Sequence, residues 1–231
     1  MRSAFVLATL LLVGGIWAQK PTGGTVTAEV GLQGAINNIA IAPIGGARLR
    51  YFLGDNLAVR LGLNFQSQSQ TDRVFENRDG TGGVGEEKNT FSLFGFRPGV
   101  EYHFDGGEKL STFAGAQLIL DITSAKTTRT NYDALGGGYI PNFTQTVDGQ
   151  SNLGAKGTTF GLGLYSGFDW YFTEKVYLGI EWGLNFTSTS NSDVTITTSA
   201  GGTTTIQKRA GSKAGGLAVF SVGVLRLGYQ F

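Results

Sequence analysis

From Leu217 to Phe231 the chain alternates, residue by residue, between two rows of side chains, and one row carries no charge. Counting back from Phe231 in twos gives Tyr229, Leu227, Leu225, Gly223, Ser221, Val219 and Leu217. The other row holds Gln230, Gly228, Arg226, Val224 and Val222. A period of two puts alternate side chains on opposite faces of a strand. One face therefore suits an apolar medium, while the other must accommodate a cation.

The same division recurs upstream. In LAVRLGLNFQSQSQ, Leu57, Val59, Leu61, Leu63 and Phe65 alternate with Ala58, Arg60, Gly62, Asn64 and Gln66. In ARLRYFL, Leu49, Tyr51 and Leu53 stand against Arg48, Arg50 and Phe52, and Gly54-Asp55-Asn56 has the composition of a tight turn. Continuing in this way predicts eight strands, near 24–34, 40–53, 57–68, 91–104, 110–122, 158–172, 176–186 and 215–231. The connections Gly54–Asn56, Asp105–Lys109 and Thr173–Lys175 are short, as is the first, around Ala35–Ile39. Those at 69–90, 123–157 and 187–214 are long and polar, and all three fall at one end. Pro43 and Pro98 lie inside predicted strands, where a missing ladder bond predicts bulges.

The uncharged rows are Val26/Ala28/Val30/Leu32, Phe94/Phe96/Val100/Tyr102/Phe104, Ala114/Ala116/Leu118/Leu120/Ile122, Phe160/Leu162/Leu164/Phe168/Trp170/Phe172 and Val176/Leu178/Ile180/Trp182/Leu184/Phe186, with those above. The opposite rows hold Glu29, Arg48, Arg50, Arg60, Arg97, Glu101, His103, Asp121, Asp169, Glu181 and Arg226: five arginines, five carboxylates and a histidine. An arginine facing lipid at mid-membrane costs about 2–4 kcal/mol. Five of them would cost roughly 10–20 kcal/mol, as much as the whole stability of an ordinary domain. In a membrane the charged rows must face inward. Many of the 37 glycines, Gly62, Gly95, Gly99, Gly163, Gly179 and Gly228 among them, share those rows and make room for long side chains in a narrow interior.

The N-terminus has the layout of a cleaved secretory signal peptide: Arg2, then an apolar run from Ala4, then Ala18 before Gln19. A membrane-anchoring helix is the other reading, but the stretch is short for spanning and Gly14-Gly15 interrupts it. Residues 1–18 are thus expected to be a signal peptide and 19–231 a single domain. There is no cysteine, so no disulfide framework or thiolate chemistry is available, and a net charge of +1 gives no electrostatic case for nucleic acid. With no later apolar stretch of helical length, a membrane fold would have to be a closed barrel, which leaves no backbone group unpaired in lipid.

RYFLGDNLAVRLGL (50–63) and the terminal VLRLGYQF resemble the small outer-membrane β-barrels of the OmpA/OmpX type, in the version found in Bacteroidota-like bacteria. The resemblance covers essentially the whole mature chain. It implies an all-β, eight-stranded antiparallel up-and-down transmembrane barrel in the bacterial outer membrane, with short periplasmic turns and longer extracellular loops. It also implies that Leu225, Leu227, Tyr229 and Phe231 act as the signal read by the outer-membrane assembly machinery. Tyr51, Tyr102, Phe104, Trp170, Phe172, Tyr229 and Phe231 are candidates for an interfacial aromatic girdle. DVTITTSAGGTTTIQK (193–208) reads as a polar hairpin projecting beyond the membrane, and a ten-stranded barrel is the alternative.

The inward charges are the candidate functional residues. A balanced set is what a mutually neutralising, sealed interior needs; the competing reading is a polar lumen with Arg60, Arg226, Glu181 and Glu101 as a constriction. His103, the one histidine, could be a base in a lipid-modifying barrel enzyme, but lies at the end away from the outer leaflet, which favours a hydrogen-bonded interior role. GTGGVG (80–85) satisfies G-x-G-x-x-G without the strand, helix and downstream acid of a nucleotide site. Glu86-Glu87 beside Lys88 reads as a solvated rim rather than a metal site. The expectation is a non-enzymatic monomer without cofactor or metal, its partners outer-membrane lipid, the assembly machinery and an extracellular ligand of the loops. A narrow porin-like channel is the alternative, and a lipid-modifying enzyme the third.

Overall fold

The computed structural model describes residues 20–35, 38–104, 107, 109–133 and 137–231, so the expected signal peptide lies outside the described residues. Thirteen strands are formed and, among the described residues, no helix. They are β1 (Val26–Ala35), β2 (Asn38–Phe52), β3 (Leu57–Phe75), β4 (Val84–Phe104), β5 (Leu110–Tyr132), β6 (Tyr139–Asp148), β7 (Gln150–Ser151), β8 (Gly154–Ala155), β9 (Gly157–Tyr171), β10 (Val176–Asn191), β11 (Val194–Ala200), β12 (Thr203–Arg209) and β13 (Lys213–Gln230).

Eight of these close a ring in the order β1-β2-β3-β4-β5-β9-β10-β13, and every neighbouring pair is antiparallel. Closure is made by β13 on β1, from Thr27↔Gln230 to Leu32↔Leu225, and by β9 on β5, from Leu110↔Trp170 to Thr123↔Gly157. A ring leaves no strand edge unpaired, and the two-residue pleat sorts each strand into an inner and an outer row. The chain is thus the expected all-β, eight-stranded antiparallel barrel, and the ten-stranded alternative is set aside.

The strands run further than the apolar pattern predicted. β3 continues to Phe75, β4 begins at Val84 and β5 reaches Tyr132, so much of the expected loops 69–90 and 123–157 is paired sheet. Both rows turn polar there, which removes the apolar alternation but not the backbone pairing. β5 then forks: Lys126 to Tyr132 pairs with β6, which carries β11 and β12 as an open sheet outside the ring. The expected 193–208 hairpin is therefore real, as β11 and β12, and it does not enter the ring. Between β6 and β9 the short hairpin β7–β8 forms its own two-stranded sheet.

The two prolines behave differently. The β1–β2 register shifts between Val30 and Leu32, where Leu32 faces Pro43, as a bulge requires. No shift occurs at Pro98; it faces Leu61 on β3 in unbroken register, and the ladder to β5 passes from Phe96↔Leu120 to Gly99↔Gln117, omitting Arg97 and the proline. The missing N–H is absorbed by one gap instead of a bulge.

Candidate functional site

Strand parity brings the predicted charges together. Nine of the eleven named residues form one interior cluster built on four arginines and four carboxylates. Arg50, with a side chain 0% exposed, contacts Glu29 at 2.6 Å, Asp169 at 2.8 Å and Glu101 at 3.0 Å. Arg226 reaches Asp169 at 2.6 Å, Glu29 at 3.0 Å and Glu181 at 3.5 Å. Arg60 reaches Glu101 at 2.7 Å and Glu181 at 2.9 Å, and donates to the side-chain amide oxygen Oε1 of Gln117 at 2.7 Å. Arg48, the most exposed of the four, bridges Glu181 at 2.9 Å and Glu29 at 3.4 Å. Arg97 and Asp121 stand apart as a half-open pair at 2.9 Å.

Such a lattice is possible because glycine faces the charges across the ladders. Arg226 stands opposite Gly179 and Gly31, Asp169 opposite Gly179, Glu101 opposite Gly115, Glu181 opposite Gly167, and Asp121 opposite Gly95. A Cβ at Gly179 would lie 2.4 Å from the Asp169 carboxylate and 2.7 Å from the Arg226 guanidinium. One at Gly228 would lie 2.0 Å from the ring of Tyr177. These glycines are there for space rather than for backbone freedom.

Aromatic rings complete the interior, and most were not identified in the sequence. The Arg60 guanidinium lies 3.5 Å from the centre of the Tyr165 ring, and that of Arg226 4.8 Å from Phe113. Tyr177 accepts from Arg50 at 2.7 Å and donates to Glu29 at 2.8 Å, while its ring packs on Tyr171 at 4.9 Å. Phe113, Tyr165, Tyr171 and Tyr177 occupy the same parity as the charges, which is the signal that would have found them. Removing one member of such a set strands a buried charge, at a cost of about 3–5 kcal/mol.

His103 lies beneath the cluster, between the rings of Phe52 and Phe113 at 5.0 and 5.4 Å. Its Nδ1 is 2.9 Å from the Ser111 hydroxyl and its Nε2 is 3.3 Å from Glu101. Serine, histidine and acid in that order resemble a hydrolytic triad. Yet Ser111 is 2% and His103 3% exposed, and Glu101 is shared with two arginines, so serine, imidazole and acid are all buried within the charged cluster. The arrangement serves to hold the acid in place.

Toward the end where β3, β4 and β5 are extended, the inner row continues as a second polar cluster. Glu87 accepts from Arg129 at 2.5 Å, Asn89 at 2.9 Å and Asn152 at 3.2 Å. Asn89 accepts in turn from the Thr127 hydroxyl at 2.6 Å and the Asn152 N–H at 3.3 Å. The β7–β8 hairpin is thereby drawn over the inner faces of β4 and β5, with Gly154 against Phe91. Burial acts to raise the Glu87 pKa, but the donated bonds and the Arg129 charge outweigh it and hold the carboxyl below its ordinary range. Adjacent Glu86 points the other way and pairs with Arg73 at 3.0 Å, so the two acids do not converge. GTGGVG forms the tip of the β3–β4 hairpin, with Gly80 and Gly82 at positive φ, rather than a phosphate cradle.

Leu225, Leu227 and Tyr229 alternate on the outer row of β13, and Tyr229 packs edge-on against Phe231 at 5.0 Å. Compared with known proteins, the chain matches no family model and no curated protein.

Proposed function

We propose that the chain is a non-enzymatic integral β-barrel of the bacterial outer membrane, exported by its signal peptide and akin to the OmpA/OmpX-type barrels. Its interior is a sealed charge lattice, and its role is envelope structure or surface interaction through the sheet beyond the ring. The observation that carries this reading is the outer face. Every ring strand turns large apolar residues outward: Val30, Leu49, Val59, Phe94, Leu118, Leu164, Trp182 and Leu227 are each 38–48% exposed. A soluble monomer rarely exposes a contiguous apolar patch beyond a few hundred Å². On β3 the belt from Leu57 to Phe65 measures about 26 Å along the strand, or about 20 Å after a tilt of roughly 40°, close to the apolar band of a membrane barrel.

Sealing is supported by the fourfold balance of arginine and carboxylate and by the small bore of eight strands. An open aqueous lumen would leave guanidinium donors to water, whereas each of the four clustered arginines, Arg48, Arg50, Arg60 and Arg226, contacts at least two carboxylates. Tryptophan fluorescence tests the membrane assignment. After cleavage at Ala18 the chain keeps only Trp170 and Trp182, both on the outer face. Refolded into vesicles of lipids brominated on the acyl chain, Trp182 should be strongly quenched; emission unchanged from unbrominated vesicles would contradict the reading.

A further inference from the structure

Directly beyond the apolar belt, the outer face of β3, β4 and β5 becomes a basic, hydroxyl-rich surface. Phe65, Phe94 and Ile122 are cross-strand neighbours at the edge of the belt. One outward step further, Ser67, Ser92 and Ser124 stand abreast, followed by Ser69, Thr90 and Lys126, then by Thr71, Lys88 and Thr128. Ser67, Ser69, Lys88, Thr90, Ser92 and Ser124 line a cleft of about 340 Å³.

The charges on this face divide unequally. Both carboxylates are taken: Glu86 by Arg73 at 3.0 Å and Asp148 by Lys156 at 3.3 Å. Asp148 faces Lys126 across the β5–β6 ladder, but its carboxylate oxygen is on Lys156. Lys88 and Lys126 are exposed, and among the described residues neither has an ion-pair partner. Lys126 stands four residues beyond Ile122, about 13 Å along the strand, and Lys88 six beyond Phe94, about 20 Å. Tilt shortens both heights, and a lysine stem reaches back toward the membrane while its ammonium stays in the headgroup layer.

We propose that Lys88 and Lys126, with the serine hydroxyls below them, form a docking surface for the phosphate of a lipid headgroup whose acyl chains lie along Phe65, Phe94 and Ile122. This rests on the membrane reading above. Phosphate supplies the counter-charge these two lysines lack, together with acceptor oxygens for Ser67, Ser92 and Ser124. The apolar row beneath holds the chains, so a lipid satisfies both levels at once, as a free anion does not.

The test is native mass spectrometry of the mature chain folded in a non-ionic detergent, titrated with phosphatidic acid and, as reference, phosphatidylcholine. Each lysine is expected to contribute about five-fold and the pair about 25-fold, so Lys88→Gln with Lys126→Gln should weaken phosphatidic acid by that factor. Phosphatidylcholine binding should be unchanged, and Lys208→Gln, on the sheet outside the ring, should behave as the parent chain. Both lysines are exposed, so the variants should refold normally in the quenching assay. The proposal is overturned if the double variant retains phosphatidic acid within about three-fold of the parent. It is equally overturned if excess inorganic phosphate displaces the lipid, which would make this a free-anion site. Quenched Trp182 alongside phosphatidic acid binding retained by the double variant removes the docking surface alone; unquenched Trp182 removes the membrane reading and the docking surface together.

Discussion

Arg50 is the most connected cation of the interior, and replacing it tests whether the cluster acts as one neutral unit. Arg50→Met removes a guanidinium within 3.0 Å of Glu29, Asp169 and Glu101 and leaves four carboxylates facing three arginines. The methionine fills part of the volume, so the loss is electrostatic more than steric. A stranded buried charge costs about 3–5 kcal/mol, and we expect about 4 here because all three acids keep a second arginine or histidine partner. Glu101→Gln alone should cost a similar amount, stranding positive charge instead. Combined, the two changes restore a balance of three against three, so the double variant should be more stable than the sum predicts by about 2–3 kcal/mol. Urea unfolding of vesicle-folded protein, followed by the heat-dependent gel shift of folded barrels, measures all four corners of the cycle. Strictly additive losses, or a loss below about 1 kcal/mol for Arg50→Met, would refute the neutral-unit argument.

Gly228→Val places side-chain carbon where the Tyr177 ring lies and should destabilise by about 1–3 kcal/mol or more, with Tyr177→Leu recovering part of the loss in the same unfolding assay. Because the folded pKa of Glu87 is depressed, its contribution is present above the ordinary value of 4.5 and is lost as pH falls through the lower folded value. The protection of amides around Asn152, measured relative to their intrinsic exchange rates, should therefore fall below about pH 4.5, and Glu87→Gln should show low protection already at neutral pH and no change across that window. Replacing residues 194–209 with a short glycine-serine turn should leave the urea midpoint unchanged, since β11 and β12 pair with β6 and with each other but not with the ring. A lowered midpoint would mean that the outer sheet supports the barrel.

The ring and its charged interior were legible because one physical signal, the alternation of apolar and polar rows, is enforced wherever one face meets a uniform apolar medium. Arg60, Glu101 and Arg226 declared their face by being charged, and parity did the rest. The extension of β3 beyond residue 68 was not legible, because Ser69, Thr71 and Arg73 outside and Gln70 and Asp72 inside are all polar, and the extensions of β4 and β5 that pair there share that character. The inner rings of Phe113, Tyr165 and Tyr177 were missed because an aromatic residue is acceptable on either face and does not announce a side. Pro98 misled for a related reason: its missing N–H disturbs a ladder, but only the structure shows that leaving Arg97 and Pro98 unpaired with β5 suffices, without a bulge. The fork in β5, with β6 taking over from β9, depends on pairing partners distant in sequence, which periodicity does not encode.

The proposal that the interior is sealed is the centre of the account, and single-channel recording of the refolded chain in a planar bilayer tests it most directly. With folding verified by Trp182 quenching in the same preparation, the account predicts a silent bilayer, because Arg48, Arg50, Arg60 and Arg226 are locked to Glu29, Glu101, Asp169 and Glu181 across the bore. Discrete, reproducible openings that change with Arg60→Gln would contradict it and make the same residues the walls of a narrow channel.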